Sequence, residues 1–305
     1  MGAKHFYLDA SADGLKLGCL LYKPSEVHGK PVGIVQLVHG MCEHKERYIP
    51  FMEFLSENGY VCVIHDHRGH GESVRSQEDL GYFYSGGWSA MIEDIRIVNE
   101  YVRKEFPDLS LTLLGHSMGS MAVRAFAKKY DNLINKLVVC GSPSDNPIKG
   151  LGKAITNVFG ALGGWHARPN LLQKMSLGGY DKGLENEGRN AWICTNLDIR
   201  KAYNTDPLCT FQFTTNGFKN LLGLMQNCYS EKDWRMSNPN LPIFFISGKL
   251  DPCRINDAKF DEAVEFMKKV GYTNVVATSY EGMRHEILNE TNKQIVWNDV
   301  LDFLK

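Results

Sequence analysis

Three residue types that together can cleave an acyl bond lie far apart in this chain of 305 residues: Ser117, Asp251 and His285. Ser117 stands in Gly115-His116-Ser117-Met118-Gly119, the one Gly-x-Ser-x-Gly of the sequence. The apolar run Leu111 to Leu114 before it reads as a strand. Met121, Val123, Phe126 and Ala127 after it read as a helix beginning near Ser120. A serine at such a strand-to-helix turn stands out from the end of a sheet, where a substrate carbonyl can reach it. The flanking glycines have a steric reason, because a strained turn brings strand and helix too close for a side chain. The bland alternative is a Gly/Ser turn that only closes a βα unit.

A serine hydroxyl needs a base, and the base needs an acid that fixes its tautomer and stabilises the imidazolium. His285 is the only histidine after His166 and follows the last expected strand. Asp251 follows another, in Ser247-Gly248-Lys249-Leu250-Asp251-Pro252, with Asp145 as the alternative acid. The developing oxyanion needs backbone N–H donors. Met118, next to the serine, supplies one, and Met41, in the loop after Val32 to Val38, supplies the other. His39 and His116 adjoin the turns themselves and are expected to pack or hydrogen-bond there.

These residues need a frame. Phe6 to Leu8 and Leu15 to Tyr22, around an Asp13-Gly14 turn, read as an antiparallel hairpin at a sheet edge. Val32 to Val38, Tyr60 to Ile64, Lys136 to Cys140, Ile243 to Ile246 and Val275 to Tyr280 read as further strands. Helices are expected at Tyr48 to Glu57, Gly87 to Phe106, Ala258 to Lys269 and Thr291 to Leu304. Alternating strands and helices imply an α/β fold, a mostly parallel central sheet with helices on both faces. Ligands bind such sheets beyond the carboxyl ends of the strands, where Ser117, Asp251, His285 and the loop from His39 all fall. The stretch 142–242 is too long for a plain loop. It carries Phe218, Leu221, Leu222 and Met225 at helical spacing, and Trp165, Trp192, Phe211 and Phe213 besides. It is expected as an inserted helical cap over the same edge, leaving 1–141 and 243–305 as the core.

Composition narrows the function. A net charge of -1, without basic clusters, argues against nucleic acid and against a polybasic membrane anchor. No apolar run is long enough to span a bilayer. The first 15 residues lack the apolar core of a signal peptide, and Phe6 stands where a myristoylation site has Ser or Thr. The eight cysteines are scattered without a Cys-x-x-Cys pair, which fits buried free thiols in a reducing, cytoplasmic setting and no zinc cluster. No cofactor is expected.

Longer motifs carry a resemblance. His39-Gly40-Met41-Cys42-Glu43-His44-Lys45-Glu46-Arg47-Tyr48 is similar to the His-Gly-x-x-Glu-His-x-x-Arg-Tyr segment of monoacylglycerol lipases and lysophospholipase-like hydrolases. Asp66-His67-Arg68-Gly69-His70-Gly71-Glu72-Ser73 resembles their Asp-x-Arg-Gly-His-Gly-x-Ser turn, and Ala202 to Leu208 resembles a segment of their cap. The order Ser, Asp, His along the chain is that of α/β-hydrolases. The resemblance implies an α/β-hydrolase fold of the serine aminopeptidase S33 type. A transient contact of the cap with a membrane surface is a separate expectation; the resemblance implies a carboxylic ester hydrolase acting through an acyl-enzyme on a lipid-like substrate, monoacylglycerol or lysophospholipid. It supports Ser117, Asp251 and His285 as the triad and Met41 and Met118 as oxyanion donors. It matches Glu43 and Arg47 to glycerol-contacting positions, although an internal ion pair holding the oxyanion loop would explain them equally. Cys42 departs from the pattern where glycine or alanine is common, and Leu288 replaces a histidine. The competing readings are a peptidase or amide hydrolase with the same triad, and a non-catalytic receptor using the fold as a binding cavity.

Overall fold

The computed structural model describes residues 3–24, 29–146 and 149–305. Eight strands form one sheet: β1 (Lys4–Asp9), β2 (Lys16–Tyr22), β3 (Gly33–Val38), β4 (Tyr60–His65), β5 (Leu111–His116), β6 (Lys136–Cys140), β7 (Ile243–Gly248) and β8 (Val275–Tyr280). Their order is β1-β2-β4-β3-β5-β6-β7-β8. β1 and β2 form the expected antiparallel edge hairpin, β2 also runs antiparallel to β4, and all later neighbours are parallel.

Alternate residues of the central strands feed two cores. Ile34 and Val38 of β3, Val61 and Val63 of β4, and Leu111 and Leu113 of β5 enter one. Val35, Leu37, Cys62, Ile64 and Leu114 enter the other. This period of two explains why these strands are buried along their whole length. The first core is covered by α2 (Gly87–Glu105), α3 (Met118–Tyr130) and α8 (Asp257–Lys269), the second by α1 (Ile49–Glu57) and α9 (Lys293–Leu304). Helix α2 shows how. Met91, Ile95, Val98 and Val102 recur at helical spacing and are buried, and Pro107 follows just past its end.

Between β6 and β7 the chain makes α4 (Lys149–Gly163), α5 (Asn170–Leu177), α6 (Leu197–Thr205) and α7 (Thr215–Cys228). Phe213, Phe218 and Leu224 of this insertion join the first core beside α2 and α3, so the insertion is anchored by packing as well as by its two chain connections. Of its helices, only the stretch around α7 shows in the sequence pattern.

Candidate active site

The carboxyl ends of β3, β5, β7 and β8 bring the expected residues together. β5 runs two residues further than its apolar stretch, through Gly115 and His116, and α3 starts at Met118. Ser117 alone makes the reversal, with φ 53° and ψ -119°. This is a conformation in which an ordinary side chain is strained, typically by about 1–3 kcal/mol. A Cβ on Gly115 would lie 2.3 Å from the Gly119 carbonyl oxygen, and one on Gly119 would lie 2.2 Å from that of Val38. Both glycines therefore let strand and helix approach around the serine. The Ser117 amide donates to the Cys140 carbonyl of β6 at 2.9 Å, which fixes the turn to the sheet.

Gly248 has a similar task at the end of β7. A Cβ there would meet the Met283 and Arg284 carbonyl oxygens at 2.3 and 2.2 Å. This close approach sets the loop after β8 against the loop after β7, and Asp251 Oδ2 meets His285 Nδ1 at 2.9 Å. Asp251 Oδ1 accepts from the Cys253 amide at 2.8 Å, so the carboxylate is held at both oxygens. Asp251, and not the alternative acid Asp145, occupies Nδ1 of His285. His285 and Ser117 border one cavity of about 530 Å³. Nε2 of His285 lies 4.0 Å from Cys253 Sγ, and no hydrogen bond joins it to Ser117. The serine–histidine bond of such a pair commonly tightens only in the substrate complex.

Met41 and Met118 border the same cavity. Among the described residues neither amide donates to a protein acceptor, that of Met118 because it opens α3, whose first N–H groups have no intrahelical partner. The Met41 loop is braced by Glu43, whose Oε1 accepts from the Gly40 amide, from Tyr48 and from His116. Burial pushes the Glu43 carboxyl up, but His116, Arg47 and the Gly40 amide outweigh it and hold it down at about 2. His116 faces Glu43 with Nδ1 at 3.0 Å and the His285 carbonyl with Nε2 at 3.3 Å. Both nitrogens face acceptors, an arrangement that favours the positively charged ring. Burial opposes that charge, and Glu43 overcomes it, so its pKa stands above the usual histidine value. His39 likewise has a structural place. Its Nε2 accepts from the His67 amide at 2.9 Å, and its Nδ1 meets the Gly40 carbonyl at 2.8 Å.

Arg47 donates to Glu43 at 2.9 Å and clamps Glu286 through two bonds of 2.8 and 2.7 Å. Glu43 and Glu286 border the main cavity, whereas Arg47 borders a small one behind it, with Leu288. Cys42 has φ 54°, which is the backbone reason that glycine suits this position, and its thiol donates to the Phe211 carbonyl at 3.3 Å.

Sequence reasoning missed the contacts of the insertion with the histidine loop. The Trp192 ring lies 5.0 Å from that of His285, the Glu286 amide donates to the Ile193 carbonyl at 2.7 Å, and Arg284 reaches the Ala191 carbonyl at 2.7 Å. Trp192 was visible only as one aromatic among several in the insertion, and nothing local marks Glu286 as the partner of Arg47. Much of the remaining wall is apolar and sulfur-bearing, with Met121, Leu172, Phe211, Phe218, Leu221 and Met225, but Gln173, Arg189, Asn190 and Gln212 line it as well.

Comparisons with known proteins agree with this fold. The monoglyceride lipase of Mus musculus is 28% identical over 298 residues, 95% of this chain and 86% of that protein. The monoacylglycerol lipase of Mycolicibacterium smegmatis is 26% identical over 275 residues, 90% and 88% of the two chains. A thermostable carboxyl esterase from Bacillus coagulans, crystallised with glycerol, superposes with a TM-score of 0.90 at 24% identity, over all of this chain and 98% of that one. The last likeness is one of fold, and the fold is the α/β-hydrolase fold. The family described as serine aminopeptidase, S33, matches residues 29–292, and the chain belongs to it.

Proposed function

We propose that this protein hydrolyses carboxylic esters of lipid-like substrates, monoacylglycerol or lysophospholipid in type, through an acyl-enzyme. One observation carries the reading: His285, paired with Asp251 at 2.9 Å, and the strained Ser117 border a single cavity that has apolar side chains over much of its wall. The mouse and mycobacterial relatives, named as monoacylglycerol lipases, support it. Ser117 Oγ attacks the ester carbonyl while His285 Nε2 takes its proton, and Asp251 stabilises the imidazolium through Nδ1. The Met41 and Met118 amides donate to the oxyanion, each contributing about 3–4 kcal/mol to the barrier reduction. His285 then protonates the leaving alcohol, and water, deprotonated by the same nitrogen, releases the acid. Glu43 faces the alcohol at the polar end, and Arg47 holds it from behind. The stretch 142–242 acts as a cap over the core of 1–141 and 243–305. Outward-facing Val158, Leu162, Leu171 and Leu197 support a transient contact of this cap with membranes. We further infer a cytoplasmic location from the eight cysteines, none of which is in a disulfide, and cell fractionation would test it.

The test is hydrolysis by wild type and Ser117→Ala of nitrophenyl esters of increasing length, mono-oleoylglycerol, a lysophospholipid and aminoacyl nitroanilides. Ester turnover with a preference for long acyl chains, abolished in the variant, is expected. Turnover confined to the anilides would replace this reading with a peptidase.

A further inference from the structure

Two groups of metal-type donors, buried but for the half-buried Asp206, lie among the described residues: His44, Asp206 and Cys209, and Asp251, Cys253 and His285. In the first, His44 already meets Asp206 through Nε2 at 2.8 Å and Glu46 through Nδ1 at 2.7 Å, so both ring nitrogens are occupied. In the second, Asp251 occupies only Nδ1 of His285. That bond keeps the ring proton on Nδ1 and leaves a lone pair on Nε2. The protein atom Nε2 meets is Cys253 Sγ, at 4.0 Å. Cys253 is only 6% exposed, yet it borders the cavity with His285, so an ion entering by the substrate route reaches both.

The separation suits a metal. Zinc bonds of about 2.0–2.1 Å to imidazole and about 2.3 Å to thiolate set their donor atoms roughly 3.6 Å apart at the tetrahedral angle, and roughly 4.3 Å apart at most. The observed 4.0 Å lies between these limits. Asp251 on the other ring nitrogen supplies the carboxylate–histidine pairing that orients zinc-bound imidazoles.

We propose that Cys253 and His285 form an inhibitory site for a thiophilic divalent cation, zinc or cadmium, which shuts down hydrolysis by occupying the base. On binding, the Cys253 S–H bond breaks, its proton leaves to solvent, and an S–metal bond forms. His285 Nε2 donates its lone pair, and no electron is transferred. While the ion is bound, Nε2 cannot accept the Ser117 proton. The inference rests on His285 as the base proposed above.

The experiment uses the full chain, stripped of metal and free of added thiol, with a short nitrophenyl ester. Zinc chloride should lower the rate saturably to less than about a tenth, and EDTA should restore it. Cys253→Ser, measured against its own metal-free rate, should need at least about tenfold more zinc for half inhibition. Cobalt titration should give a near-ultraviolet thiolate charge-transfer band, absent in Cys253→Ala. Equal zinc sensitivity of wild type and Cys253→Ser, or no cobalt band in wild type, would overturn the site. Ser117 labelling by a fluorophosphonate before metal is added tests the hydrolase reading separately. If labelling fails while the cobalt band forms, the function is wrong and the site stands.

Discussion

At the scale of single residues, the site depends on holding each group in one state. Asp251 is held at both oxygens, by the Cys253 amide and by His285 Nδ1, so it presents an acceptor to the ring. Asparagine can turn its amide nitrogen to that position and favour the wrong tautomer. Asp251→Asn should therefore lower kcat on the order of 10⁴-fold with an unchanged far-ultraviolet circular dichroism spectrum. A loss of only a few-fold in steady-state assays would mean that another group orients His285. Glu43 belongs with these residues. One of its oxygens serves the Gly40 amide, Tyr48 and His116, and the other serves Arg47. A carboxylate so fully engaged holds the oxyanion loop whatever it also does for substrate.

At the scale of elements, the sheet edge and the insertion have different origins. Strands β3 to β8 and helices α1, α2, α3, α8 and α9 were legible because one apolar pattern recurs along each. The insertion was legible only as a length, an aromatic content and the helical spacing around α7. Its attachment runs through the Glu286 amide to the Ile193 carbonyl, through Arg284 to the Ala191 carbonyl and the Glu187 carboxylate, and through the Trp192 ring against His285, pairings between distant segments that no local pattern announces. Its outer surface carries its own signal. Leu162, near the end of α4, is 84% exposed, and Leu171 and Met175 of α5 are exposed as well. If this face meets lipid, Leu162→Asp with Leu171→Asp should cut co-sedimentation with vesicles containing mono-oleoylglycerol several-fold, with soluble-ester turnover as the control. Undiminished co-sedimentation would remove this face from the membrane contact.

For the whole molecule, the buried histidines set the acid limit. Rings of His39, His65, His67 and His70 pack on one another beneath the oxyanion loop. Burial is the main cause that lowers all four pKa values, with neighbouring histidines adding to it at His39 and His67 and Arg68 adding to it at His65. His70 falls to about 4 and His65 to about 3. They are neutral in the folded chain, while the unfolded chain protonates near pH 6.5. Their contribution is complete above about pH 6.5 and is lost as pH falls toward 4. Buried Asp66 and Asp94 work the other way in this window, the latter raised to about 6. Four protons refused against two taken up leave a net loss. The thermal midpoint should therefore drop between pH 6.5 and 4. His65→Leu should make that drop shallower, since neither His65 nitrogen has a partner. A midpoint flat from pH 7 to 4.5 would contradict this account.

What the sequence by itself determined is the part written in short-range terms. Periodicity marked the strands and helices, and the chemistry of a serine turn marked Ser117. Position after a strand end marked Asp251 and His285, because a parallel sheet gathers all its carboxyl ends at one edge. Tertiary structure decided which side chains meet there. Arg47 and Glu286 are 239 positions apart, and His44 and Asp206 are 162 apart. Nothing in the spacing of scattered cysteines foretold that Cys253 would lie 4.0 Å from the His285 ring. Such contacts depend on how two loops settle against Gly248 and against the insertion. That is a matter of close packing among distant segments, and local propensity carries no record of it.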